Sequence, residues 1–501
     1  MSQISVSNLT FCYDGSYDNI FEDVSFRIDT DWKLGFIGRN GRGKTTFLKL
    51  LLGKYGYGGT ISASVDFEYF PYDVPRADAD AGDIFEEIRP GCPGWELARE
   101  LALLEIGEDV LRRPFNTLSN GERTKLLLAA LFLKENGFLL IDEPTNHLDA
   151  RGRELVSRYL NGKKGFILIS HDRAFLDGCI DHVMSINKTD IEIQRGNFSS
   201  WNQNRELRDS FEQDENEKLK KEIRRLGDSA RRTSGWADKV ESSKYGTLNS
   251  GVKVDRGYLG HKSAKMMKRA QSAVKRRMDA AEEKSKLLKN LENAEALKMV
   301  RVQYHSSRLA SLEDVAVYYG GKQVCGGVSF TIDGGDRVSL NGKNGSGKSS
   351  ILKLICGMDI EHTGACRVGG RLAVSYVSQD ASELSGDLSE YAWRNGLDES
   401  LFKAILRKLD FSRVQFEKDM GAFSDGQKKK TLLAKSLCEK AHLLIWDEPL
   451  NFIDVISRMQ IESLLLEYKP TILFVEHDRV FRDAIATKIV ELPPRAVRAH
   501  I

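Results

Sequence analysis

No apolar run in the 501-residue chain approaches the roughly 18–20 residues that span a bilayer, so the chain by itself cannot be a membrane transporter. Its N-terminus, MSQISVSNLTF, lacks a basic stretch followed by an apolar one, and no signal peptide is expected. Cysteines are few: Cys12, Cys92, Cys179, Cys325, Cys356, Cys366 and Cys438. They are odd in number, scattered, and never spaced as C-x-x-C. That argues against a disulfide framework or zinc site and for a reducing, cytoplasmic compartment. Large-scale disorder is also disfavoured, because 41% of residues are apolar and 29% charged.

The net charge is only +2, but it is unevenly distributed. Residues 221–280 hold 16 Lys and Arg against 6 Asp and Glu, a local excess of +10. The chain around this basic block is a duplication. GRNGRGKT starts at Gly38 and GKNGSGKS at Gly342; LSNGE and FSDGQ carry Ser119 and Ser424. Asp142 and Asp447 end FLLID and LLIWD, and His171 and His477 stand in ISHDRAF and VEHDRVF. Four motifs recur in order at offsets of 304–306 positions. Each copy alternates short apolar runs (LGFIG, FLLID, FILIS) with helical stretches (TTFLKLLLG), the pattern of an α/β fold on a parallel sheet. The copies are placed at about 1–200 and 306–501.

The unduplicated residues 201–305 read as a helical hairpin. Leu219, Ile223, Leu226 and Ala230 follow a 4-3-4 spacing. Met267, Val274, Met278, Ala281 and Leu288 continue it, interrupted by Gln271 and Ser285. The Gly- and Ser-rich stretch from Gly235 is expected to break the helix, giving a tip at about 235–262. The tip region carries Trp236, Lys244, Tyr245, Tyr258 and Lys262; Lys265, Lys268 and Arg269 follow on the second helix. Cations favour a phosphate backbone, and exposed aromatics can stack on unpaired bases. The alternatives are a solvated coiled-coil face and aromatics that pack the turn.

Both glycine-rich segments match G-x-x-x-x-G-K-[ST] between an apolar strand and an apolar helix. Gly38, Gly41 and Gly43, and likewise Gly342, Gly345 and Gly347, let backbone N–H groups curl around phosphate oxygens. Asn40 and Asn344 lie inside these loops, and Thr46 and Ser350 just beyond. Lys44 and Lys348 are the candidates to reach phosphate, and Thr45 and Ser349 to ligate Mg²⁺. Asp142 and Asp447 suit the Mg²⁺ shell, while Glu143 and Glu448 suit polarising a water. The ligand expected is Mg²⁺–ATP.

The chain resembles the ABC-F subfamily of ABC ATPases along essentially its whole length. Ser119 with Gly121, and Ser424 with Gly426, are similar to the ABC signature; EPTNHLD at 143–149 resembles the ABC-F hallmark, from which EPLNFID at 448–454 departs. The resemblance implies two ABC nucleotide-binding domains that pair within one monomer, sandwiching two ATPs head-to-tail. Ser424 and Gly426 would complete the site of Lys44, and Ser119 and Gly121 that of Lys348. It also implies that Tyr13 and Tyr319 stack on adenine, unless they are ordinary packing, and that His171 and His477 contact the γ-phosphate. Gln379 stands at the metal-binding glutamine position, where the first copy has Tyr72, and a tyrosine offers no amide oxygen. Unequal sites are therefore expected.

GYLGHKSAKMMKR, EPLNFIDV and KPTILFVEHD carry a closer likeness to antibiotic-resistance members of the Lsa/Vga type. This implies ATP-dependent binding at the ribosomal E site, with the linker directed at large-subunit rRNA, P-site tRNA and the peptidyl-transferase centre. The implied drugs are lincosamides, pleuromutilins and streptogramin A. Only 47 and 45 residues separate Tyr72 from Ser119 and Gln379 from Ser424, leaving no room for the arm of some housekeeping members. The short stretch after His477 points the same way. A housekeeping factor for stalled ribosomes, a transporter's ATPase subunit and an SMC-like DNA ATPase remain the competing readings.

Overall fold

The computed structural model describes residues 2–13, 19–146, 148–187, 190–242, 268, 272, 275–276, 302–343 and 345–493. The chain divides into two compact units, residues 1–201 with 295–501, and residues 202–294.

In the first half of the larger unit, β1 (Gln3–Phe11), β2 (Phe21–Asp29) and β4 (Gly58–Ser62) form an antiparallel sheet in the order β2-β1-β4. A second sheet holds β3 (Lys33–Ile37), β5 (Asp66–Phe70), β6 (Gly137–Asp142), β7 (Phe166–Ile169), β8 (His182–Asn187) and β9 (Asp190–Arg195). Its order is β5-β6-β7-β3-β8-β9, parallel except for the β8–β9 hairpin. The second half repeats the plan. An antiparallel sheet β11-β10-β13 uses β10 (Arg308–Tyr319), β11 (Lys322–Asp333) and β13 (His362–Val368). A parallel sheet β14-β15-β16-β12-β17 uses β12 (Arg337–Asn341), β14 (Val374–Val377), β15 (Leu443–Asp447), β16 (Ile472–Val475) and β17 (Lys488–Glu491).

The parallel strands are apolar on both faces because helices and the antiparallel sheet cover both. All four residues of FILI and of ILFV are buried. The same burial makes polar groups find partners. The Trp446 indole N–H, with no exposure to water, donates to Ser436 Oγ at 2.9 Å. Helices Ala81–Ile88, Gly94–Leu103 and Asn120–Phe132 enclose one core, and Leu388–Arg394, Glu399–Lys408 and Asp425–Cys438 its counterpart. In each parallel sheet the strand that leads into the glycine-rich loop (β3, β12) and the strand that ends in the acidic pair (β6, β15) flank one shared neighbour (β7, β16), so the loop and the acidic pair meet at the C-terminal ends of the strands.

The helix Phe198–Ser242 runs past Gly235 and through Trp236 into the Gly- and Ser-rich stretch. A lone glycine costs about 1 kcal/mol, too little to stop a long helix. Lys268 is helical and exposed, and its carbonyl accepts from Ser272 Oγ at 2.9 Å. Lys244, Tyr245, Tyr258, Lys262, Lys265 and Arg269 lie outside the described residues, as do Asn344 and most of the proposed second linker helix.

Candidate nucleotide sites

Each glycine-rich loop turns through left-handed backbone that only glycine adopts freely: Gly41 and Gly43 have φ of 82° and 92°, and Gly345 and Gly347 76° and 90°. Helices then start at Lys44 and Lys348. Lys44 Nζ donates to the carbonyls of Gly38 (2.7 Å) and Arg39 (3.1 Å), and Lys348 Nζ to those of Gly342 (2.9 Å) and Lys343 (3.0 Å). Thr45 Oγ1 donates to Asp142 Oδ2 at 2.8 Å, whereas both oxygens of the Asp447 carboxylate are buried without a hydrogen-bond partner among the described residues. Tyr13 is 40% exposed, with its hydroxyl 2.7 Å from Thr46 Oγ1; Tyr319 is 49% exposed. Neither tyrosine is core packing.

The catalytic candidates sit side by side. Glu143 Oε1 is 3.2 Å from His171 Nε2, and Glu448 Oε1 is 3.3 Å from His477 Nε2. Both glutamates adopt positive φ, 51° and 46°, at the strand-to-loop turn. Their protonation differs. Burial, reinforced by the Asp142 charge, pushes Glu143 up to about 8. Burial acts on Glu448 too, but the hydrogen bond and charge of His477, then Asn451 and Lys348, outweigh it and hold its carboxyl low. Burial, followed by the charge of Lys44, drives His171 well below its usual range, so Glu143 and His171 face each other as neutral groups.

Across the interface between the halves, the two composite sites also differ. At the first site, Asn40 Nδ2 donates to the Phe452 carbonyl at 2.6 Å. Arg39 and Arg42 pair with Asp410 at 3.4 and 3.3 Å, and Arg173 with Glu462 at 2.5 Å. A methyl group on Gly426 would stand 3.1 Å from Asn40 Nδ2, so Gly426 lies against the loop of Lys44. At the second site a cavity of about 1000 Å³ brings Ser119 and Gly121 together with Gly345, Gly347, Lys348, Ser349, Ser350, Gln379, Glu448 and His477. Asp410 has Glu105 as its counterpart here, which pairs within its own half with Arg151 at 2.7 Å. Ser119 and Ser424 each cap a signature helix in a capping box, with Glu122 and Gln427.

The first-copy residue aligned with Gln379 is indeed Tyr72, because Phe70 and Val377 hold equivalent places beside Ile141 and Trp446. Tyr72 packs on the helical core, whereas Gln379 Nε2 donates to Glu448 Oε2 at 2.9 Å. The sequence reading missed Tyr69, whose hydroxyl donates to Asp142 Oδ2 at 3.1 Å. Tyr376 is its counterpart, with burial and then the Asp447 charge raising its phenol. Both tyrosines precede the strand end by one position, a signal present in the repeat alignment.

The residues present fit Mg²⁺–ATP. Both Asp447 carboxylate oxygens are buried, and a divalent ion held mainly by phosphate and water needs only one or two protein carboxylates. Among the described residues no group of three or more His, Cys, Asp or Glu forms a separate metal site, and no helix is long and apolar enough to cross a membrane.

Residues 21–146 and 325–451, just over half the chain, match the family described as ABC transporter. The chain is 27% identical over 485 residues to the ribosome protection protein VmlR of Bacillus subtilis (strain 168), covering 95% of this chain and 84% of that protein. It is also 27% identical over 538 residues to the energy-dependent translational throttle protein EttA of Escherichia coli O6:H1 (strain CFT073), covering 94% and 89%. A solved structure of archaeal ribosome recycling factor aABCE1, in complex with ribosomal stalk protein aP1, shares the fold at a TM-score of 0.62 and 18% identity, over 97% of this chain and 87% of that one. Two repeated ATP sites of this geometry and a family match in each half make one conclusion plain: the chain belongs to the ABC transporter family, as a tandem ATPase of the ABC-F subfamily.

Proposed function

We propose that this ATPase is a ribosomal protection factor, with domains at about 1–200 and 306–501 closing on two Mg²⁺–ATP and a linker at about 201–305. In this reading it acts in the cytoplasm as a monomer. It occupies the E site in its ATP form and directs the basic tip toward rRNA and P-site tRNA near the peptidyl-transferase centre. The drugs opposed are lincosamides, pleuromutilins and streptogramin A. The observation that carries the reading is the +10 basic segment set between two intact ATPase halves, in a chain similar over 95% of its length to a ribosome protection protein.

Bound Mg²⁺–ATP supplies the phosphoryl group and the charge that offsets its developing negative oxygens. Lys44 and Lys348 exchange loop carbonyls for phosphate. Thr45 with Asp142, and Ser349 with Asp447 and Gln379, hold the metal. Ser119 and Gly121, and Ser424 and Gly426, present helix N-termini to the phosphates from across the interface. Tyr13 and Tyr319 flank the base, and Glu143 with His171 and Glu448 with His477 orient and deprotonate water.

The test is ribosome pelleting of a Glu143→Gln/Glu448→Gln double variant with ATP, beside the parent. Co-sedimentation of the variant alone supports the reading, and a raised drug tolerance in cells making the parent separates protection from a housekeeping role on stalled ribosomes. If neither protein pellets while ATP is bound, the ribosomal reading fails.

A further inference from the structure

The two halves differ at one buried position that the ATP-site motifs do not include. Lys429 lies five residues into the signature segment of the second half, where the first half has Thr124. Its side chain is 2% exposed. Nζ donates to the Ser378 carbonyl at 2.7 Å and to the Glu448 carbonyl at 3.2 Å. Ser378 immediately precedes Gln379, and the Gln379 amide bonds the Glu448 carboxylate. One ammonium therefore pins the backbone of both the glutamine loop and the catalytic glutamate. Of the charges around Lys429, Glu476 acts most strongly on it. Glu476 is 6% exposed and accepts from the Leu450 N–H at 2.7 Å and the His477 N–H at 3.1 Å. Its counterpart in the first half is Ser170. A lysine and a glutamate have thus both entered the second half at places where the first half has hydroxyl residues.

We infer that Lys429 is a positioning residue for the second ATP site, holding Gln379 and Glu448 in register with each other through their backbones while Glu476 fixes the backbone before His477. A buried ammonium needs acceptors, and Lys429 has one carbonyl from each of two adjoining loops, so both bonds form only when both loops are in place. The same lysine rides on helix Asp425–Cys438, whose first-turn Gly426 lies against Asn40 of the first site. Movement of that helix is therefore transmitted to the glutamine loop of the second. The first half, with Thr124, has no ammonium to make this link.

The inference rests on Glu448 acting in the second site, so its test starts from Glu143→Gln, in which turnover reports on that site. Lys429→Thr/Glu476→Ser installs the first half's own residues and leaves no unpaired buried charge. Expected are a native melting transition, ATP affinity changed less than about twofold, turnover lowered about 10–100-fold, and faster amide hydrogen exchange across 377–380 without nucleotide. Parental turnover and exchange would overturn the inference, and so would failure of the double variant to fold, which would make the pair purely structural. Adding Glu448→Gln separates the two ideas. If that change leaves turnover intact, the site assignment itself is wrong; if it abolishes turnover while the Lys429 variant is unaffected, only the positioning role falls.

Discussion

Asp410→Asn tests whether the first site is held closed by charge before nucleotide chemistry begins. Asp410 receives Arg39 and Arg42 from the opposite half at 3.4 and 3.3 Å, with all three side chains under a third exposed. Its φ of 70° lies in the left-handed region, which asparagine tolerates, so the backbone is spared. A partly exposed pair is worth about 1 kcal/mol or less after screening, so losing both costs about 1–2 kcal/mol, or about 5–30-fold in the closed population. The assay is dissociation of a fluorescent ATP analogue in a Lys348→Ala background, where binding reports on the first site. Dissociation should accelerate by that factor, and about 1 M salt should produce much of the same effect in the parent. The mirror change, Glu105→Gln in a Lys44→Ala background, removes only an exposed pair within one half and should matter less than about twofold. Equal effects at both sites, or none at the first, would refute the idea that these arginines clamp it.

Three further outcomes are expected. With the second site silenced by Glu448→Gln, kcat/KM should rise about tenfold from about pH 7 to about pH 9, because Glu143, held near 8, gains its charge over that range. With Glu143→Gln instead, Glu448 is already ionised, so the profile should be flat over the same range, and matching profiles would remove the protonation difference. Gly426→Ala puts a methyl 2.6 Å from the Phe452 carbonyl, an overpacking cost of about 1–3 kcal/mol; first-site turnover should fall by about tenfold or more, and unchanged first-site turnover would remove Gly426 from that site. Ribosome pelleting of the trapped double variant should weaken by orders of magnitude over about a fourfold rise in salt, since the segment at 261–277 concentrates cations; a salt-independent interaction would point away from phosphate recognition.

The phosphate loops, the acidic pairs and the duplication were legible in the sequence because their chemistry is local. Backbone N–H groups, a lysine and a hydroxyl must follow one another within eight residues, so Gly38–Thr45 and Gly342–Ser349 announce themselves. The parallel strands were equally readable, since burial on both faces leaves continuous apolar runs. In the linker, the helix carries on through Gly235 as far as Ser242, because the penalty of one glycine is small against a helix of 45 residues. The sequence already pointed to unequal sites through Tyr72 and Gln379, but the contacts across the halves that set them apart came only from the tertiary structure. Asp410 with Arg39, Glu462 with Arg173, and the Gly426 contact with Asn40 join residues hundreds of positions apart. The protonation of Glu143 and Glu448, adjacent to near-identical motifs, depends on burial and on charges brought in by other strands and the opposite half. Sequence motifs fix which atoms a site possesses, whereas desolvation and through-space charge, which set how those atoms behave, act over distances that exist only once the chain is folded.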